Sequence, residues 1–234
     1  MKKQSGRLKR KMKTKNNFFT LCQKWSGFSH NAEIPRFYKQ NIDFKDKIFV
    51  PYDEVETVSK SVSIEKLIPH FFISDEKQVN FACNPNSHLE ILDKIYAVFS
   101  TDFSIYINTY PQFNNAILLL NRLIASYWQQ QDRFVILTLS WAGKESYETA
   151  FSNIEEGSIV GISTEGVQDW ACFKNGFLTM LQQIKPAFIC WYDKIPEWIF
   201  GYFEKEKIIR VPKRFKIVSE RKNLKIQKYQ MELF

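Results

Sequence analysis

Cysteine is scarce in this 234-residue chain, and its spacing excludes several classes of protein. The four cysteines, Cys22, Cys83, Cys172 and Cys190, contain no Cys-x-x-Cys pair. Zinc fingers and redox dithiols use such pairs, and small secreted domains use denser sets of cysteines to form disulfides. We therefore expect reduced thiols, most of them buried.

Long hydrophobic runs are also missing. The best candidate for a membrane helix, residues 116–128, is interrupted by Asn121 and Arg122. It is shorter than the roughly 18–20 apolar residues that a membrane helix requires. The basic N-terminus lacks the apolar region of a secretory signal. The sequence therefore predicts a soluble cytoplasmic protein that has no membrane partner.

Common nucleotide-binding and catalytic motifs are absent as well. The chain has no Gly-x-Gly-x-x-Gly, no P-loop and no Gly-x-Ser-x-Gly elbow. Its three histidines, His30, His70 and His88, form no His-x-x-x-His or His-Glu pair, so the sequence gives no zinc-site pattern. A catalytic site in this chain is therefore expected to use residues outside these motifs.

Charge is distributed unevenly along the chain, whose formal net charge is +8. Residues 1–17 hold eight basic residues and no acid, and residues 205–228 hold ten basic residues and two acids. The remainder has fifteen basic and twenty-three acidic residues. The sequence therefore predicts an acidic body between two basic ends.

The basic ends favour nucleic acid as a partner, because clustered cations neutralise phosphates and release counterions. The alternative is a pair of solvated tails, and an anionic membrane is disfavoured because the N-terminal arm has no bulky apolar face. Residues 211–218 alternate apolar and basic side chains, as an edge strand with one basic face does. The sequence leaves the identity of a protein partner open. The expected nucleic-acid contacts are Lys9, Arg10, Lys11, Lys13, Lys213, Arg214 and Lys216.

Four segments follow from these patterns. Residues 1–17 are predicted to be a disordered basic arm and residues 18–47 an irregular covering segment. Residues 48–212 form the predicted α/β domain, and residues 213–234 a basic C-terminal extension.

The predicted domain alternates short apolar runs with helical patterns. Helical periodicity runs from Phe113 to Tyr127, with Pro111 suited to the first turn, and from Trp170 to Ile184. Such alternation predicts a mainly parallel sheet, either a small or incomplete TIM-barrel-like fold or an open doubly wound sheet. The predicted strands are Ile48–Pro51, His70–Ser74, Ala97–Ser100, Phe134–Ser140, Ile159–Ser163, Ala187–Tyr192 and Ile208–Val211.

Carboxylates follow several of these strands, and in a barrel they converge on one mouth. Asp102, Asp75 and Glu165 are the candidate catalytic residues, either as an acid/base pair or as a Mg²⁺ or Mn²⁺ site for phosphodiester hydrolysis. Asp102 and Asp75 are the candidate metal ligands. Each has a structural alternative, an Asx turn for Asp102 and a helix start for Asp75.

Polar and aromatic residues at the same strand ends are candidates for ligand binding. Trp141 and Trp191 can form a flat wall for a ligand, although core packing is the favoured role for both. Ser140 and Thr164 supply hydroxyls, and the backbone around Thr164 can also present N–H groups to an anion.

Four segments in order resemble a known family. They are FSTDFS (99–104), ASYWQQQ (125–131), FVILTLSWAGKESYETAF (134–151) and GSIVGISTEGV (157–167). Together they resemble domain of unknown function 4417, which occurs in bacteria, phages and other mobile elements. The resemblance spans about residues 48–198. It implies a mobile-element setting and supplies no mechanism.

Three functions stay open at this point. The first is a mobile-element-associated nucleic-acid-binding protein with a metal-dependent nuclease or DNA-processing activity. The second is an enzyme acting on a small polar metabolite or a nucleotide-like ligand. The third is a non-catalytic adaptor that binds a phage or host protein.

Overall fold

The computed structural model describes residues 34–84 and 88–213. The predicted basic arm, most of the covering segment, and Arg214 and Lys216 lie outside the described residues. Within the described part, no helix combines the length and apolar character needed to cross a bilayer.

The described residues form seven strands, and each lies parallel to its hydrogen-bonded neighbours. A five-stranded sheet has the order β3-β4-β5-β6-β7 and curls into half a barrel, while β1 pairs with β2. A bond from Tyr96 N to Leu67 O, 3.2 Å long, joins β2 to the chain entering β3. The strands are β1 (Ile48–Pro51), β2 (Leu67–His70), β3 (Val98–Phe99), β4 (Val135–Leu139), β5 (Val160–Ser163), β6 (Ile189–Tyr192) and β7 (Ile208–Val211).

The strand order confirms the predicted α/β class. Each strand of the larger sheet neighbours the next one along the chain, without the reversal that defines a doubly wound sheet. Sequential order and curling are the features that an incomplete TIM-like barrel shares with a complete one.

Helices connect the strands. The two long ones, α4 and α6, coincide with the two predicted helical patterns. The helices are α1 (Val55–Val58), α2 (Asp75–Cys83), α3 (Leu89–Leu92), α4 (Pro111–Gln130), α5 (Tyr147–Phe151) and α6 (Trp170–Ile184).

Local sequence explains where the long helices begin and end. Pro111 occupies the first turn of α4, where its missing N–H costs nothing. The carboxylate of Asp169 caps α6 by accepting bonds from Ala171 N and Cys172 N, both 2.9 Å long. Lys185 ends α6 in a left-handed conformation with φ 45°.

The second strand differs from its prediction. It covers Leu67–His70 rather than His70–Ser74, and Ser74 instead precedes α2. The apolar run continues past the strand through Phe71, Phe72 and Ile73, so hydrophobicity alone does not mark where the pairing ends. A tight turn, in which Ile73 N donates to Phe71 O at 2.7 Å, breaks the extended chain.

The sheet is buried on both faces, which explains its nearly continuous apolar strands. Val135, Leu137 and Leu139 pack with residues of the long helices on one face. Phe99, Ile136, Cys190 and Tyr192 fill the concave face. Two residues of the segment before β1, Ile42 and Phe44, belong to the concave cluster and help to close it.

Candidate functional site

A cleft of about 500 Å³ opens where β3, β4 and β5 end. Four predicted residues line it, namely Asp102, Ser140, Trp141 and Glu165. The cleft thus lies at the carboxyl ends of the strands, where barrels with this strand order place their active sites.

Asp102 is the unusual group in this cleft. Its side chain is partly buried and has no hydrogen-bond partner within residues 34–84 and 88–213. Burial, with a smaller contribution from the Asp75 carboxylate, raises the pKa of Asp102 from its ordinary 3.8 to about 7. Asp102 therefore gains and loses a proton near neutral pH.

The three hydroxyls around Asp102 in FSTDFS have structural partners. The Ser100 hydroxyl accepts a bond from Thr138 N on β4 (2.8 Å). Thr101 Oγ1 donates to Asn121 Oδ1 (2.9 Å), and Ser104 Oγ donates to Asp75 Oδ1 (3.1 Å). The segment is thus anchored by its small residues, and the Asp102 carboxyl group is left for the cleft.

The backbone of this loop is held by an amide side chain from α2. Gln78 accepts a bond from Asp102 N (2.8 Å) and donates to Asp102 O (3.1 Å). Gln78 is fully buried, so the two bonds are shielded from water. They fix the backbone from which the Asp102 side chain projects.

Two asparagines of α4 bind the same loop in the same way. Asn121 accepts from Phe103 N and donates to Phe103 O, at 3.2 and 3.4 Å. Asn114 accepts from Tyr106 N and donates to Tyr106 O, at 3.1 and 2.8 Å. We call Gln78, Asn114 and Asn121 the amide clamp. Its amide groups hydrogen-bond to backbone N–H and C=O groups of the loop, which a neighbouring strand would otherwise do.

Asp75 has the helix role that its sequence context allowed. It is the first residue of α2, and its carboxylate accepts bonds from both the backbone N–H and the hydroxyl of Ser104. Its charge still acts on Asp102 through space. Asp75 therefore supports the site without lining the cleft.

Glu165 lies in another part of the cleft lining and is not grouped with the two aspartates. Lys213 Nζ lies 3.4 Å from a Glu165 carboxylate oxygen and 3.1 Å from one of Asp193. In the described part of the chain no group of three or more His, Cys, Asp or Glu residues is arranged to hold a metal ion. The predicted Mg²⁺ or Mn²⁺ site rests on Asp75 and Asp102 alone and stays a prediction.

Trp141 forms one wall of the cleft. Its indole N–H donates to Phe173 O (3.2 Å), and its ring stacks on the Phe173 ring with centroids 5.0 Å apart. The indole also lies against Gly176 of α6, where a Cβ atom would be only 2.1 Å from Nε1. The missing side chain of Gly176 is therefore what lets Trp141 lie against the helix.

We expect Gly176→Ala to destabilise the protein by about 1–3 kcal/mol, because the added methyl group forces Trp141 out of its position. Urea unfolding measures the loss. Gly201→Ala is the control, since a Cβ there meets no atom within 4 Å. Equal stability of Gly176→Ala and the wild type would contradict this packing.

Thr164 and Trp191 do not have the predicted cleft positions. Both are buried, and the Thr164 hydroxyl and the Trp191 indole donate to the same acceptor, Lys194 O, at 2.6 and 3.1 Å. They fix the turn after β6, and Trp191 packs in the core against Phe173 and Phe177. A position at the end of a strand does not by itself show whether the side chain points into the cleft or into the core.

The amide clamp was not predicted from the sequence, although the spacing of its two asparagines indicates it. Asn114 and Asn121 are seven residues apart and both are buried, so they share the inner face of an otherwise apolar helix. Buried amides at helical spacing indicate a backbone partner. Gln78 gives no comparable signal.

Comparison with known proteins agrees with the resemblance seen in the sequence. Two curated relatives are both named "Gene 1 protein". That of Mycobacterium phage L5 is 25% identical over 130 residues, which cover 54% of this chain and 57% of the relative. That of Mycobacterium phage D29 is 26% identical over 130 residues, which cover 54% and 48% respectively. The chain thus spans about half the length of these relatives.

No solved structure matches the chain. The family model described as "Domain of unknown function (DUF4417)" matches residues 27–211, which include all seven strands and the cleft. The chain therefore belongs to this family of phage-associated proteins.

Proposed function

We propose that the cleft binds a small polar ligand and that Asp102 exchanges a proton with it as a general acid or base. One observation carries this proposal: Asp102 presents a carboxyl group that lacks a hydrogen-bond partner in the described chain and whose pKa is about 7. General acid–base catalysis is most effective when the pKa of the group lies near the working pH.

The surroundings of Asp102 support such a role. The amide clamp holds its backbone in place, so the carboxyl group does not have to be ordered when a ligand arrives. Ser140 and Ser163 line the same cleft and offer hydroxyls, while Trp141 and Phe173 offer apolar ring surface. Apolar walls with a few polar groups are typical of small-molecule sites.

Charge narrows the class of ligand. Among the described residues, the lining of the cleft includes Asp102, Glu165 and Asp169 but no Lys or Arg. Lys213 lies beside Glu165 but is already paired with Glu165 and Asp193, so a phosphate or carboxylate beside Asp102 would meet repulsion. The proposed ligand is therefore neutral or cationic, with a flat apolar part that fits beside the aromatic wall.

A panel of flat probes that differ in charge tests this proposal. Benzamidine, benzamide and benzoate are cationic, neutral and anionic, and their effect on the melting temperature of the full chain reports binding. We expect benzamidine to stabilise the wild type more than benzamide does, and benzoate to have no effect. Asp102→Asn should lose the preference for benzamidine, whereas Asp132→Asn, an exposed control, should keep it.

Two results would contradict the proposal. One is a wild-type protein that none of the three probes stabilises. The other is an Asp102→Asn protein that responds to benzamidine as the wild type does.

A divalent-metal nuclease is the second candidate, and the proximity of Asp75 to Asp102 favours it. The Asp75 charge raises the pKa of Asp102, and a Mg²⁺ or Mn²⁺ ion between two carboxylates would relieve that repulsion. The basic ends would then hold the nucleic acid. Stabilisation of the wild type by Mn²⁺, absent in Asp102→Asn, supports this candidate, and a melt that Mn²⁺ leaves unchanged rejects it.

A further inference from the structure

The cleft continues outward onto apolar surface of the loop that follows β3. Tyr106 and Ile107 line the cleft, yet 55% of Tyr106 and 39% of Ile107 stay accessible to solvent. We call these two residues the outer ledge. Exposed polar residues, Ser104 and Asn108, lie on either side of it in the loop. An apolar surface that adjoins a cleft and has a polar rim is typical of a binding surface.

The outer ledge is held in position through its backbone. Asn114 of the amide clamp accepts a bond from Tyr106 N and donates to Tyr106 O, at 3.1 and 2.8 Å. Earlier in the loop, Phe103 is buried and Ile105 packs against the main core. The loop therefore presents Tyr106 and Ile107 at the edge of the cleft without having to be ordered by a ligand, and the entropic cost of binding there is lowered.

The segment that carries the outer ledge has no charge. Residues 103–121 contain no Asp, Glu, Lys, Arg or His, although 25% of the chain is charged. A charged group placed on the ledge would lose hydration without gaining a counterion from this segment. An uncharged apolar group has no such cost and removes the exposed surface of Tyr106 and Ile107 from water.

We propose that the outer ledge is a second subsite of the cleft and that it takes an uncharged aromatic ring. The ligand is then an elongated molecule, with a flat polar end at Asp102 and a ring at its other end. Tyr106 packs against this ring face to face or edge to face, and Ile107 adds aliphatic surface. This inference rests on the proposed binding of a ligand in the cleft, but not on proton exchange by Asp102.

The two subsites are close enough for one small molecule to occupy both. Tyr106 is four residues after Asp102, so their Cα atoms lie at most about 14 Å apart. The probe is 4-(benzyloxy)benzamidine, in which an ether joins the benzamidine head to a second ring. The matched probe is 4-methoxybenzamidine, which keeps the cationic head and the ether but has no second ring.

We expect the full-length wild type to bind 4-(benzyloxy)benzamidine roughly five- to twentyfold more tightly than 4-methoxybenzamidine in calorimetric titrations. Tyr106→Ser should lose most of this ratio, because it removes the ring and leaves the backbone bonds to Asn114 intact. Tyr106→Phe should keep the ratio, because it retains the ring. Tyr110→Ser is the control, since Tyr110 is 83% exposed and lies outside the lining of the cleft, and it should also keep the ratio.

A ratio near one in the wild type would overturn the second subsite, as would equal losses in Tyr106→Ser and Tyr110→Ser. The proposed function survives either result if Asp102→Asn binds 4-methoxybenzamidine more weakly than the wild type does. In the opposite case the ratio persists while Asp102→Asn binds both probes as tightly as the wild type, which supports the subsite and contradicts the role of Asp102. A wild type that binds neither probe contradicts both proposals.

Discussion

Asp102→Asn is expected to make the protein more stable at pH 8 by up to about 4 kcal/mol, since three pKa units correspond to about 1.4 kcal/mol each. The pKa of Asp102 is raised in the folded state, so the folded protein binds more protons than the unfolded chain between about pH 4 and pH 7. Wild-type stability therefore falls as the pH rises through this window. Asn is neutral throughout and avoids the loss.

The measurement is urea unfolding of both proteins at pH 4, 6 and 8. The advantage of Asp102→Asn should shrink as the pH falls and vanish near pH 4. If the Asp102 carboxylate instead made structural hydrogen bonds, its replacement by Asn would remove them and lower the stability of the protein. Greater stability of the wild type at pH 8 would therefore assign Asp102 to a structural turn, and the proposed site would lose its central residue.

Arg122→Met is expected to destabilise the protein by about 3–5 kcal/mol. The guanidinium group of Arg122 is buried and donates to Ala150 O (2.8 Å), Ser152 O (2.9 Å) and Pro35 O (3.4 Å). Two of these acceptors lie at the end of α5, whose negative helix end favours a cation. Burial lowers the pKa of Arg122 to about 9, which still leaves it charged at neutral pH.

Methionine fills a similar volume but donates no hydrogen bond, so the buried carbonyl groups lose their partner. Arg210→Met on β7 is the control, because Arg210 is exposed and its replacement should change stability by less than about 0.5 kcal/mol. Denaturant midpoints at pH 7.5 compare the two variants. A loss below about 1 kcal/mol for Arg122→Met would show that the carbonyl groups find other partners.

Much of the fold was predictable because its signals are local. Helix α4 carries a proline at its start and consistent periodicity from Phe113 to Tyr127, and α6 carries an aspartate cap. Parallel strands buried on both faces leave continuous apolar runs that sequence analysis detects easily. Strand β2 begins three residues and ends four residues before its predicted bounds, because the apolar run extends beyond the paired segment and only tertiary contacts decide which part pairs.

The site was predictable in part. The prediction that Asp102, Ser140, Trp141 and Glu165 lie at strand ends holds, and the cleft brings them together. What the sequence could not show is which way each side chain points. Thr164 and Glu165 are the first two residues after β5. The Thr164 hydroxyl donates to Lys194 O, whereas Glu165 lines the cleft.

The amide clamp separates the shape of the loop after β3 from its chemistry. Within that loop, Gln78 and Asn114 bond only main-chain atoms, and Asn121 adds a single side-chain contact at Thr101. A substitution at position 102 therefore leaves these backbone bonds intact. The side chain at this position can therefore change while the loop keeps its conformation, so relatives that retain the three amides can present different chemical groups to the cleft.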